Sequence, residues 1–207
     1  MTHEPGTGAR PPGLTDEPLS TLIDGLARQG RVPGAGSVAA VMVAMSSAVV
    51  AMAARSSAEA WPDAGGAVAQ AEALRRRALP LVDADARALG DAIALLEPAT
   101  DSEGLEHDRR DFELGLALAL AADVPLSIVQ IAADVAALAK DVAENGGAEV
   151  RPDAVGAAVL AHGAARAAAH LVEINLATSE DDFRVLAARS LEAAAGEWAE
   201  QALAVED

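Results

Sequence analysis

The stretch PGAGSVAAVMVAMSSAVVAMAA, residues 33–54, decides the fold of this chain. Behind its glycine-containing turn, residues 38–54 carry no charge and are apolar except for two serines. A helix that is apolar all round is stable when other helices surround it. Small residues and methionines replace the roughly 20 strongly apolar residues of a membrane span. We therefore predict a buried core helix that Ser37 caps and that ends near Ser57.

The composition of the whole chain also favours helices. Its 207 residues are 52% hydrophobic but only 2% aromatic, so alanine, leucine and valine have to fill the interior. Alanine is the best helix former and lets helix axes approach closely, and alternation typical of strands is missing. We predict an all-α, multihelical single domain with a central apolar helix and long antiparallel helices over residues 15–207. The polar, Gly- and Pro-rich segment 1–14 is expected to be a disordered lead-in without a signal peptide.

Turn signals divide the rest of the chain into further helices. Pro18 suits a first helical turn, with Thr15 or Asp16 as its cap. An apolar stripe follows at helical spacing: Leu19, Leu22, Ile23 and Leu26. Later helices are expected at 67–96 with a kink or junction at Pro80, from 106 across Pro125 to the stop Asn145-Gly146-Gly147, at 152–177 behind Pro152, and behind Ser179 as the last cap.

Charge and cysteine usage narrow the class of protein. The net charge is −17 and Lys140 is the single lysine, which argues against a nucleic acid partner because phosphate backbones need clustered cations. A small anionic ligand would need a local basic pocket. The chain has no cysteine, which suits a cytoplasmic protein and excludes thiolate chemistry.

The glycine turn before the apolar helix is one candidate for a binding element. Gly34 and Gly36 let a ligand approach the backbone, and free N–H groups at a helix start favour an anion or a carbonyl. Turns of this kind are often only connections between helices, so both interpretations stay open.

The run LVDADAR, residues 81–87, is the second candidate. On a helix, Asp83 and Arg87 share one face, whereas Asp85 points elsewhere. The pair is either a solvated surface ion pair or places a carboxylate in an apolar pocket. In a pocket the pKa of Asp83 would rise and the group could act as general acid or base.

Three other polar patterns occur on predicted helices. His162 and His170 share a helix face but stand too far apart for one metal ion, with Arg166 between them, so no metal site is expected. Ser46 and Ser47 should bond back to their own helix. Asn175 lies between two apolar residues, and its amide needs a partner from another helix or a ligand.

Six motifs in order carry a resemblance to a known family. They are PGAGS at 33–37, LVDADA at 81–86, Asp108-Arg109-Arg110, Val124-Pro125-Leu126, Asn145-Gly146 followed by Asp153, and EINL at 173–176. The order resembles the formiminotetrahydrofolate cyclodeaminase / methenyltetrahydrofolate cyclohydrolase family from about Leu19 to Trp198.

The resemblance implies an all-helical, cytoplasmic homodimer that acts on the N5/N10 one-carbon unit of tetrahydrofolate. It implies that Asp83 transfers the proton and that the substrate is the only folate bound, without a tightly held cofactor. By position, Gly34, Gly36 and Ser37 would meet the substrate at the turn. Asp153 and Asn175 would hold its pterin or amide edges. No membrane partner is expected.

Departures from the family pattern keep alternatives open. The family turn usually has three glycines, and Ala35 replaces the middle one. No basic residue lies between Arg55 and Arg75, and Pro98 is followed by Ala99, although folates carry glutamate carboxylates. A divergent member that binds another ligand and a helical interaction module are therefore the alternatives to an active folate enzyme.

Overall fold

The computed structural model describes residues 13–28, 30, 32–96, 105–177 and 181–205. Within these ranges the chain forms helices and no strand, so the all-α prediction is confirmed. The helices are α1 Leu19–Leu26, α2 Ala35–Ser56, α3 Ala64–Leu96, α4 Leu105–Ala121, α5 Asp123–Asn145, α6 Arg151–Asn175 and α7 Phe183–Leu203. Short 3-10 turns lie at Leu14–Asp16 and Ala148–Val150.

The predicted apolar helix is α2, and it packs against α3, α5 and α6. Val43 and Val50 are fully buried, and alanines line the contacts with the neighbouring helices. Its outer face differs, because Met45 is 50% and Met52 is 41% exposed. The expectation that other helices of the chain cover α2 on every side is therefore wrong for this face.

The start of α2 corrects the predicted cap. Gly34 is the N-cap residue, with φ −118° and ψ −165°, and the helix begins at Ala35. Ser37 is thus inside the first turn and does not cap it. Its hydroxyl is buried and points away from its own helix towards α3, where Val82 and Asp85 supply acceptors.

The first helix also differs from its prediction. Pro18 is itself the N-cap residue of α1, and the expected caps Thr15 and Asp16 belong to the preceding 3-10 turn. Leu14, assigned to the lead-in, packs against the core. None of the α1 residues is buried, and Leu19 and Ile23 are 52% and 54% exposed. A short helix at the edge of a single chain has too few neighbours to cover its apolar stripe.

The remaining boundaries follow the turn signals closely. Helix α3 runs through Pro80 as one element, so no junction forms there. Ala122 separates α4 from α5, and Pro125 lies in the first turn of α5, where its missing N–H costs nothing. Helix α5 ends at Asn145 as predicted.

Helices α6 and α7 show one agreement and one difference. Pro152 lies in the first turn of α6, as expected. The predicted cap Ser179 lies outside the described residues. Helix α7 is capped by Asp182, whose carboxylate accepts a hydrogen bond of 2.9 Å from the backbone N–H of Arg184.

Three helical segments are long and apolar enough to cross a membrane by length and composition: Ala35–Ser56, Phe112–Asn145 and Ala148–Asn175. Inside the protein, 61% of the best window of the first segment is buried, and 44% of each of the others. The burial of α2 fits the prediction of a core helix. The absence of a membrane partner stays a prediction.

Candidate functional site

The first turn of α2 is bound to α3 through one buried hydroxyl. Ser37 Oγ lies 3.0 Å from the carbonyl oxygen of Val82 and 3.0 Å from Oδ2 of Asp85. The hydroxyl donates to an ionised Asp85. When Asp85 is protonated, the same hydroxyl can accept from it while donating to Val82. The contact therefore supports both protonation states of the carboxyl group.

Gly36 is needed because a carboxylate lies against its backbone. A Cβ at this position would overlap Asp85 Oδ1, and it would come within 2.8 Å of Oδ2. The sequence suggested that the glycine makes room for an external ligand. In the structure its Cβ position is taken by a side chain of the protein itself.

Asp85 sits in an environment that changes its acidity. The residue is only 8% exposed. Burial raises the pKa of Asp85, because a charged carboxylate loses its hydration there, and the hydrogen bonds from the Ser37 hydroxyl and N–H lower it in part. A carboxyl group whose pKa lies nearer to neutrality is better matched to general acid–base work.

A cavity of about 70 Å³ opens beside this carboxylate, between the start of α2, the C-terminal half of α3, α4 and the end of α6. Its polar lining comes from Asp85 and Asn175, with Ala35 and Gly36 at the first turn of α2. The other lining residues are apolar: Ala88, Leu89, Ala92, Leu118, Ala121 and Leu171. The structure thus brings together Gly36, Ser37 and Asn175 of the predicted site, while Gly34 caps the same turn.

The carboxylate at this cavity is Asp85 rather than the predicted Asp83. Asp83 is 7% exposed, and its Oδ1 accepts a hydrogen bond of 2.7 Å from the N–H of Leu14. A Cβ at Gly13 would overlap its Oδ2. Asp83 therefore lies beneath the N-terminal 3-10 turn, so the alternative of a solvated surface pair is wrong for it.

Sequence reasoning missed Asp85 because of helix phase. Residues two apart on a helix point roughly 200° away from each other. By its helical position Asp85 faces away from Asp83 and Arg87. In the structure, this opposite face of α3 is the one that meets α2. The available signal was the small Gly36 beside the hydroxyl of Ser37, a pair suited to receive a carboxylate.

Asp153 has no place in the cavity. It is exposed in the first turn of α6, whereas Asn175 is the last residue of that helix. At 1.5 Å per residue the two positions lie about 33 Å apart along the axis. One chain cannot bring both to the same folate, so the prediction of a shared site is corrected.

The other polar residues that the sequence singled out do not line the cavity. No group of three residues suited to a metal ion occurs in the described part of the chain. His162 Nε2 lies 3.2 Å from Glu192 Oε1, which gives it a partner on α7. Ser47 donates to Val43 as predicted, at 2.8 Å. The same prediction is wrong for Ser46, because its buried hydroxyl has no hydrogen-bond partner among the described residues.

Comparison with known proteins supplies the family. The family model described as formiminotransferase-cyclodeaminase matches residues 18–193. A protein named methenyltetrahydrofolate cyclohydrolase from Methylorubrum extorquens is 31% identical over 172 residues, which cover 80% of this chain and 82% of the relative. The crystal structure of a formiminotetrahydrofolate cyclodeaminase from Thermotoga maritima shares the fold, with a TM-score of 0.78 at 23% identity over 91% of this chain and 95% of that one. The chain therefore belongs to the formiminotransferase-cyclodeaminase family.

Proposed function

We propose that this protein is a folate enzyme that acts on the N5/N10 one-carbon unit of tetrahydrofolate, as a methenyltetrahydrofolate cyclohydrolase or a formiminotetrahydrofolate cyclodeaminase. The observation that carries the proposal is a pair of buried carboxylates on α3: Asp85 lies against the first turn of α2, and Asp83 lies beneath the 3-10 turn at Leu14. Family membership and the relative named a cyclohydrolase support the same conclusion.

The chemistry needs a group that moves protons. Cyclodeamination closes the formimino carbon onto N10 and expels ammonia, and cyclohydrolysis adds water to the methenyl carbon. Both reactions pass through a tetrahedral carbon flanked by nitrogens, so a nitrogen has to gain or lose a proton. We assign this transfer to Asp83, a buried carboxylate that accepts a hydrogen bond from the short turn at Leu14.

Substrate contacts are assigned to the same region. The backbone of Gly34 and Gly36 and the amide of Asn175 are proposed to meet the folate. Ser37 contributes indirectly, because its hydroxyl is engaged by Asp85 and Val82.

The test is turnover by the purified protein of 5,10-methenyl- and 5-formimino-tetrahydrofolate, followed by absorbance. Asp83→Asn should abolish conversion, because the amide cannot exchange a proton, while the helical circular dichroism is unchanged. Asp91→Asn is the matched control, since Asp91 is an exposed carboxylate of the same helix. Wild-type protein that neither converts nor binds either folate would refute the proposal and favour a divergent member with another ligand.

We also propose that the protein is a homodimer that pairs through the outer face of α2. Val38, Val41, Met45, Ala48 and Met52 recur at alternating intervals of three and four residues, the spacing of helix–helix seams. Both methionines are exposed, and the uncovered stripe of α1 flanks an apolar groove of about 320 Å³ beside this face. A second copy would cover all of this surface.

Light scattering tests the assembly. The wild type should have the mass of a dimer, and Met45→Lys should shift it to the monomer, because a charge buried in an apolar seam is costly. Leu186→Lys, a change at another exposed apolar position on α7, should leave the dimer intact. A monomeric wild type at micromolar concentration would contradict the proposal.

A further inference from the structure

The cavity beside Asp85 has the size of a water site rather than a folate site. Its volume is about 70 Å³. Pockets for drug-sized ligands measure roughly 300–1,000 Å³, whereas a water molecule takes a share of about 30 Å³ in the liquid. The space therefore suits water-sized molecules, and a pterin ring would have to bind at its mouth.

The lining supplies the polar partners that an enclosed water molecule requires. A buried water typically makes about three hydrogen bonds. The Asp85 carboxylate accepts, the Asn175 amide both donates and accepts, and the N–H groups of Ala35 and Gly36, which lack intrahelical partners in the first turn of α2, can donate. The remaining walls are apolar.

We propose that this cavity holds the hydrolytic water, that Asp85 is the general base that activates it, and that the enzyme is therefore a cyclohydrolase. The inference rests on the folate function proposed above and decides between its two reactions. Cyclodeamination consumes no water, because N10 attacks the formimino carbon and ammonia leaves. A water site beside a buried carboxylate is what hydrolysis requires, whereas deamination has no water to activate.

The proposed reaction adds water to the methenyl carbon and then breaks the bond from this carbon to N5. The water oxygen forms a bond to the methenyl carbon, the carbon–nitrogen π electrons move onto nitrogen, and one water proton passes to Asp85. In the tetrahedral intermediate the bond from carbon to N5 breaks, and N5 takes up the proton that Asp85 received from the water. The remaining hydroxyl proton is lost as the N10-formyl group forms, so each turnover consumes one water and releases one proton.

The surroundings of Asp85 suit a base that is protonated and deprotonated in each cycle. Ser37 Oγ accepts from the acid or donates to the carboxylate without moving, with Val82 as its second partner. Gly36 allows the carboxylate to lie against the start of α2. Burial also raises the pKa of Asp85, which strengthens it as a base relative to an exposed aspartate.

Kinetics of 5,10-methenyltetrahydrofolate hydrolysis test the assignment. Asp85→Asn keeps the shape and should lower kcat by about 100-fold or more with KM nearly unchanged, because general-base contributions are of that size. In the wild type, kcat should fall with decreasing pH at an apparent pKa above 3.8, the ordinary value of the group, and this acid limb should be absent from the variant. Asp91→Asn should retain both the rate and the limb.

A second variant addresses the water directly. Ala92 lines the cavity and is 3% exposed, so Ala92→Val adds methyl groups where the water would sit and should lower kcat without raising KM. Ala78→Val is the control, because Ala78 is equally buried on α3 but lines no part of the cavity. Melting curves verify that both variants fold.

The outcomes separate this inference from the proposed function. If the wild type hydrolyses the methenyl substrate and both Asp85→Asn and Ala92→Val keep more than half of kcat, the water assignment is wrong and the folate function stands. If the wild type also deaminates 5-formiminotetrahydrofolate and Asp85→Asn lowers both rates equally, the water role is likewise overturned. Inactivity of the wild type on both substrates removes the proposed function, and the inference with it.

Discussion

Asp83 and Asp85 lie on the same helix, two residues apart, and are almost equally buried, yet they face different parts of the molecule. Asp83 meets the backbone of Leu14 in a short turn at the edge of the described chain. Asp85 meets Ser37 and Gly36 at the start of the central helix and lines a small cavity. Burial alone therefore does not assign a role to a carboxylate, because the element that covers the carboxylate determines which groups can contact it.

The largest expected difference between Asp83 and Asp85 is in catalysis. Loss of proton transfer at Asp83 should affect any reaction of the folate carbon, whereas loss of the base at Asp85 should lower hydrolysis by about 100-fold and leave unchanged any deamination that the wild type also catalyses. Measuring both substrates with both asparagine variants gives a two-by-two comparison. Equal losses in all four measurements would erase the distinction between the carboxylates.

The next difference concerns stability, and the two glycines probe it. Gly36→Ala places a methyl group against Asp85 inside the core and should lower the free energy of unfolding by about 1–3 kcal/mol, the usual cost of overpacking. Gly13→Ala creates a similar overlap with Asp83, but in a terminal turn that can shift, and should cost less than about 1 kcal/mol. Denaturant titrations of both variants measure the costs, and equal costs would show that both contacts are equally rigid.

The smallest effect is a pH dependence of stability. An aspartate whose pKa is raised by folding contributes most below its unfolded pKa, and that contribution is lost as pH rises through the folded pKa. At neutral pH the buried charge of Asp85 therefore costs stability, and Asp85→Asn should raise the melting temperature. The gain should shrink as the pH is lowered towards 4. A gain that is independent of pH would show that Asp85 is not the group that titrates.

Local signals predicted the elements whose limits depend on backbone chemistry. The end of α5 at Asn145, the start of α6 at Pro152 and the position of α2 all agree with the sequence, because glycine, proline and asparagine act on their own turn. The predictions that failed concern contacts between elements. Ser37 was expected to cap its own helix and instead bonds to α3, and Thr15 or Asp16 was expected to cap α1, whereas Pro18 is its N-cap residue.

By itself, the sequence determined the helical class, the central apolar helix, the glycine turn and the carboxylate run, since composition and helical period act within each segment. Only the tertiary structure decided which carboxylate reaches the turn. In the tertiary structure Asp153 and Asn175 also lie at opposite ends of α6, and four helices form a cavity of about 70 Å³. The physical reason is that a helix carries its side chains all round, and packing alone selects the face that meets a neighbour.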